Sequence, residues 1–343
     1  MTKLSSILPN RRSVLATVAA GAMMVLGGAP SAHAAEKLRL STTEPPESSM
    51  GMFAAEYAKR VGERSGGEID ITVYPANQLG DWVEIHEQMM VGAVDMSVQM
   101  LSNKFNDVLA LQWFPYSVLT FDDGRKQFTS GGVVFDVVNE AIAEQDLQII
   151  GTYVTGVGGL LYSNPPEDPL NPNTAKDRKI RVWPGATTHQ ALLERLGHQS
   201  APIPWAEAFT ALQTGVVDGL IGSTPELTLN NFVDVTKMWV QNNDHFEVSF
   251  ININKSRLEG LSDAHRQIVL DVAAEMTQER FDVAEREQAR FLQDLRDAGV
   301  EVIEMTDAQI AETAAIVRAE VWPEIQGEIG AANMDRLKGA LGL

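Results

Sequence analysis

Arg181, in the run Lys179-Ile180-Arg181-Val182, is the residue of this chain best suited to holding an anion. A guanidinium presents planar paired donors that match a carboxylate two-to-two, and a strand fixes their direction. On the residues alone, an ion pair with one of the many acidic side chains is the simpler reading, because such pairs are common. Other chemistry is thinly represented. The histidines past residue 34, at 86, 189, 198, 245 and 265, show no spacing of three or four that would set two of them on one helix face for a metal. Most therefore read as surface or structural. With no cysteine in the chain, thiolate metal sites, cysteine nucleophiles and disulfides are excluded. Gly156-Val157-Gly158-Gly159 is glycine-rich, but Leu160-Leu161-Tyr162-Ser163 behind it reads as a strand and not as a helix whose N-terminus could hold a phosphate. Carboxylates are plentiful, yet no pair is marked as a catalytic acid and base.

The elements that must position Arg181 read as alternating strands and helices, the pattern of an α/β protein. Lys37 to Ser41 alternates as a strand and is followed by the turn-forming Glu44-Pro45-Pro46. A helix runs through Phe53, Tyr57 and Val61 and stops at Gly66-Gly67. Further strands are expected at 69–74, 94–98, 147–153, 179–182, 217–221 and 246–252. Trp82, Glu84, Gly92 and Asp95 recur with the same spacing, 123 residues later, as Trp205, Glu207, Gly215 and Asp218. The spacing suits a helix that opens near Trp, carries Glu in its first turn and stops at Gly before a strand, so two similar lobes are expected. A cleft between two lobes is a common place for a small-ligand site.

From Asp263 to Ala298 there is neither Gly nor Pro, and Ser262 is a suitable N-cap. At about 1.5 Å per residue this helix reaches roughly 50 Å, enough to cross both lobes. Thr306 to Gln309 reads as a capping box opening another helix.

At the N-terminus, Lys3, Arg11 and Arg12 precede an apolar run from Val14 to Leu26, and Ala32-His33-Ala34 offers a small-residue cleavage site. That is the anatomy of a secretory signal peptide, residues 1–34, with Ala35 as the mature start. Arg11-Arg12 also looks like a twin-arginine export motif. The formal charge is −19, or −22 once the three leader cations are removed. Such a surface repels nucleic acid and anionic lipid, but screening leaves a buried anion site free to follow its nearest charges. The expectation is a periplasmic protein that does not insert in the membrane.

Lys179-Ile180-Arg181-Val182, then Trp205-Ala206-Glu207 and Ala211 to Gly219, resembles the central block of the solute-binding proteins of TRAP transporters, the tripartite ATP-independent periplasmic uptake systems. Val73-Tyr74-Pro75, Gln78-Leu79-Gly80, Gly92 to Met96 and Phe114-Pro115-Tyr116 are similar to first-lobe motifs of the same family, and Asn252 and Asn254 to its crossing strand. The resemblance implies a two-lobed periplasmic binding protein fold of the α/β class, with the ligand cleft between the lobes and a long helix spanning both. Lobe I would comprise 35–154 with about 246–286, and lobe II 155–245 with about 287–343.

It further implies that Arg181 binds the carboxylate of a small organic acid. Trp183, Trp205, Phe209, Thr224, Glu226, Met100, Gln99 and Glu44 complete the expected ligand-binding set. No catalytic residue, metal or cofactor is expected. The partners would be the organic acid and the membrane permease subunits, with the protein acting as a monomer whose lobes close about hinges. A secreted hydrolase or lyase using carboxylates, and a binding protein for an ATP-driven importer, are the alternatives. Members that bind sialic acid carry polar side chains where this chain has Gly159 and Gly222, so the cleft is expected to lack two of their contacts.

Overall fold

The computed structural model describes residues 35–343, and the expected signal peptide lies outside the described residues. Eleven strands are present among them: β1 (Glu36–Thr42), β2 (Ile69–Tyr74), β3 (Met96–Gln99), β4 (Leu147–Val157), β5 (Gly159–Tyr162), β6 (Lys179–Val182), β7 (Gln199–Pro202), β8 (Gly219–Ser223), β9 (Met238–Gln241), β10 (Phe246–Asn254) and β11 (Glu301–Glu304). They form two sheets, ordered β2-β1-β3-β10-β4 and β11-β9-β5-β8-β6-β7.

The sheets repeat one design. In the first, β1 runs parallel to β2 and β3, and β10 is antiparallel to β3 and β4. In the second, β6 runs parallel to β7 and β8, and β5 is antiparallel to β8 and β9. β11 is an addition, parallel to β9. The recurrence seen in the sequence has its counterpart here. The helices Trp82–Met90 and Trp205–Gln213 open at the two tryptophans and carry Glu84 and Glu207 in their first turns. Each is followed by a glycine in the left-handed region, Gly92 at φ 69° and Gly215 at φ 73°, where a side chain would be strained. Asp95 then accepts the backbone N–H of Arg39 at 2.7 Å, and Asp218 that of Lys179 at 2.9 Å. Each aspartate thus ties down the strand beside it.

The chain changes sheet between Val157 and Gly159 and again between Gln241 and Phe246. The 35-residue helix Asp263–Asp297, capped by Ser262, supplies a third link. Its N-terminal half buries Val269, Val272 and Met276 with Leu38, Leu40, Tyr57, Val98 and Ile251 around the first sheet. Its other end buries Leu292 and Leu295 with Leu161, Leu220 and Trp239 around the second. Fully burying each such aliphatic side chain contributes about 1.5–3 kcal/mol, so the helix holds both sheets through its packing more than through its own propensity. Between the two ends, Arg280 donates from Nε to the carbonyl of Val154 at 2.6 Å, and Gln288 accepts from the N–H of Val157 at 2.6 Å.

The segment 287–343 touches both sheets' surroundings. The helix Trp322–Ile329 packs against Asp107–Trp113 on the first-sheet side and against Thr187–Arg195 on the second, and Ala331–Leu341 packs against Val133–Ala143. Trp322 donates to the carbonyl of Pro115 at 2.9 Å, and Arg318 to that of Tyr116 at 2.8 Å. Among the described residues, no helix is long and apolar enough to cross a membrane.

Candidate functional site

A cavity of about 340 Å³ opens between the two sheets. From the first side it is walled by Thr43, Glu44, Asp81, Trp82, Gln99, Met100 and Trp113, and from the second by Arg181, Trp183, Pro204, Trp205, Ala206 and Gly222. Thr155, Glu247 and Ser249, on the strands that lead into the crossings, also face it. Its size and mixed lining are those of a small-molecule site.

Arg181 is the third residue of β6 and is 2% exposed. Nε donates to the carbonyl of Ile203 at 2.8 Å, and the guanidinium lies 5.4 Å from the centre of the Trp205 ring. Among the described residues no carboxylate lies within salt-bridge distance of it, so the ion-pair reading finds no partner. Burial pulls its pKa down to about 9, the signature of a cation that has lost water without gaining a counter-charge. With Nε engaged, the two terminal nitrogens are left as the fork for an anion.

The helix Trp205–Gln213 starts beside this fork. Pro204 is its N-cap and no side chain caps it. The first N–H groups of a helix have no acceptor within it and carry the positive end of the helix dipole, and Trp205 and Ala206 both line the cavity. Arginine and helix terminus therefore favour negative charge at the same end.

Trp183 follows β6 and stacks edge-on with Trp113 at 5.2 Å and near His189 at 4.7 Å. Gly222 makes room for it: a Cβ there would lie 2.8 Å from the indole, and φ is +83° besides.

Glu44, also on the wall, is 8% exposed and its Oε2 has no hydrogen-bond partner. Burial and the nearby charge of Glu226 push its pKa up to about 7. Gln99 donates to the carbonyl of Trp82 at 2.8 Å, leaving its own Oε1 without a protein partner.

Of the nine residues expected to bind ligand, Arg181, Trp183, Trp205, Met100, Gln99 and Glu44 share the cavity wall. The other three lie outside it. Phe209 packs half-buried against the core around Leu161 and Trp239. Thr224 caps the helix Pro225–Asn231 through the N–H of Leu227. Glu226 is buried in that helix's first turn. Gly159 also stands away from the wall: a Cβ there would meet the Trp239 ring and the Val240 carbonyl at 2.5 Å, so strand packing requires this glycine and it has no bearing on cleft polarity. Trp82, Trp113, Asp81, Thr155, Glu247 and Ser249 join the wall without being expected there. The tryptophan repeat is a signal for Trp82, since Trp205 occupies the matching place.

Behind Glu247 lies a buried chain of charges. His245 shares Nε2 with Glu247 and Nδ1 with Asp244, each at 2.7 Å, and His189 Nε2 stands 3.5 Å from Asp244. Burial alone would keep His245 neutral, but the Asp244 charge and both hydrogen bonds outweigh it and raise its pKa to about 10. Asp244 is held below the usual carboxylate range: burial opposes this, and His245 with His189 overcomes it. His189, Asp244 and His245 place donor atoms within 4.8 Å of one another, as a metal site would. An imidazolium has no lone pair to offer, however, and both ring nitrogens of His245 are already engaged. The cluster is an ion-pair network at the second crossing.

Residues 40–327 match the model for bacterial extracellular solute-binding proteins, family 7. The chain belongs to that family. The C4-dicarboxylate-binding periplasmic protein of Rhodobacter capsulatus is 24% identical over 96% of this chain and 98% of its own length. The 2,3-diketo-L-gulonate-binding periplasmic protein of Escherichia coli is also 24% identical, over 80% of this chain and 82% of its own. In fold it is similar to a TRAP periplasmic solute-binding protein from Ralstonia eutropha solved with (S)-2-acetolactate, at a TM-score of 0.79 and 20% identity over 89% and 98% of the two chains. This family 7 member thus has the fold of a TRAP periplasmic solute-binding protein, and the relatives named above carry the names of the solutes they bind.

Proposed function

We propose that this protein captures a small organic acid in the periplasm and delivers it, unchanged and as a monomer, to membrane permease subunits. The observation that carries the reading is Arg181: a buried guanidinium without a carboxylate partner among the described residues, facing a cavity beside an uncapped helix N-terminus. A carboxylate placed there supplies the missing counter-charge and accepts from both terminal nitrogens. The apolar faces of Trp183, Met100 and Trp113 enclose the remainder. Closure of the lobes about the crossings near Gly158 and His245 would release the cavity's water and complete the contacts. Export by the leader at 1–34, through either the general or the twin-arginine route, fits this role. The ligands of the relatives, carboxylates among them, support the class without naming the solute.

A thermal-shift screen of mono- and dicarboxylates, keto acids, sugar acids and sulfonates tests the reading. A ligand at 100 times its dissociation constant stabilises the native state by about 2.7 kcal/mol. Recovery of the ligand unaltered after prolonged incubation is expected; turnover, or no stabilisation by any organic acid, would remove the proposal.

A further inference from the structure

The charges around the cavity are unequal. Among its lining residues Arg181 is the one basic side chain, against Glu44, Asp81 and Glu247. Asp81 is occupied at the rim, where it caps a helix by accepting from the N–H groups of Val83 and Glu84 at 2.8 and 2.9 Å. Glu44 and Glu247 are different. Both are more than nine-tenths buried; Glu44 keeps one oxygen without a partner, and Glu247, which also lines the cavity, gives one oxygen to His245. A buried carboxylate lacking a donor is costly, as Arg181 is costly without an acceptor.

We propose that the solute is a compact zwitterion whose acid group is held by Arg181 and whose cationic nitrogen lies toward Glu44 and Glu247. This rests on the organic-acid reading above and narrows it. A dianion is opposed by the same arrangement, since its second carboxylate would be carried toward Glu44 and Glu247 with no further basic side chain on the wall to meet it. A polyhydroxylated acid could satisfy the oxygens but would press its hydroxyls against four tryptophans, Trp82, Trp113, Trp183 and Trp205. Indole faces instead attract a cationic nitrogen and its apolar substituents. His245 contributes by position: flanked by Asp244 and Glu247, it holds the Glu247 carboxylate in place at the crossing.

The test is calorimetry with matched pairs in which a carbon replaces the nitrogen at nearly constant shape. These are L-proline against cyclopentanecarboxylate, N,N-dimethylglycine against 3-methylbutanoate, and glycine betaine against 3,3-dimethylbutanoate, with succinate as the dianion. At least one nitrogen-bearing member is expected to bind about tenfold or more tighter than its partner and than succinate, because the charge-assisted contacts exist only for it. Glu44→Gln should erase most of that preference while its ligand-free melting temperature stays near that of the parent, and Arg181→Ala should remove binding of both members. Equal or tighter binding of the carbon analogues or of succinate overturns the zwitterion assignment and leaves the organic-acid reading standing. Failure of all three pairs, while other organic acids bind in the thermal screen, overturns it equally. Absence of binding by every acid in both experiments defeats the parent reading itself.

Discussion

Gly158 donates its backbone N–H to the carbonyl of His245 at 2.8 Å, joining the two strands that pass between the sheets. The contact is close because position 158 has no side chain. A Cβ there would come within 2.1 Å of the His245 ring.

Gly158→Ala is therefore expected to push the imidazole off its two carboxylates and to destabilise the protein by about 1–3 kcal/mol, the usual cost of overpacking, with loss of the ion pair added. Urea denaturation measures it. A variant as stable as the parent would mean that the crossings are looser than their packing implies.

His245→Ala leaves Asp244 and Glu247 buried without their cation, which costs about 3–5 kcal/mol at neutral pH. The pH profile adds a sharper mark. The folded pKa of His245, about 10, lies above its ordinary 6.5, so its stabilisation is complete below about pH 6.5 and is lost as pH rises through 10. Asp244 is shifted downward, so its share is present above its ordinary 3.8 and fades as the solution becomes more acidic. Stability curves between pH 6 and 10 should slope downward for the parent and flatten for the variant; parallel curves would assign the slope to other groups.

Arg181→Ala should weaken the cognate solute by about 2–5 kcal/mol with the fold intact, since it strips the partner from a buried charge. Arg181→Lys should also bind poorly, because a point charge cannot reproduce the fork. Near-parental affinity of both variants by calorimetry would take Arg181 out of the site.

Gly222→Ala places a methyl group 2.8 Å from the Trp183 ring on a backbone at φ +83°. The left-handed conformation alone costs a non-glycine residue about 1–2 kcal/mol. Trp183 should also be displaced, so affinity is expected to fall with stability. Tryptophan fluorescence and ligand titration report the two effects, and a variant with unaltered emission and affinity would show that the indole does not depend on this glycine.

Local patterns in the chain carry the strand holding Arg181, the glycine-free run that becomes a 35-residue helix, and a repeat marking Trp82 and Trp205 as matching helix starts. These were legible because strand alternation, helix caps and left-handed glycines are written over a few neighbouring residues. Tertiary structure decided the rest. Gly159 and Gly222 look equivalent in sequence, yet one is pressed against Trp239 in a sheet and the other opens the cavity wall to Trp183. Phe209, one turn along the helix from Trp205, turns into the core. His189 lies 3.5 Å from Asp244 across a separation of 55 residues, and Glu247 reaches the cavity only because the chain crosses between sheets just before it. No short-range pattern encodes such meetings, which arise when two sheets and a shared helix bury their apolar faces together and bring distant polar groups into one low-dielectric space.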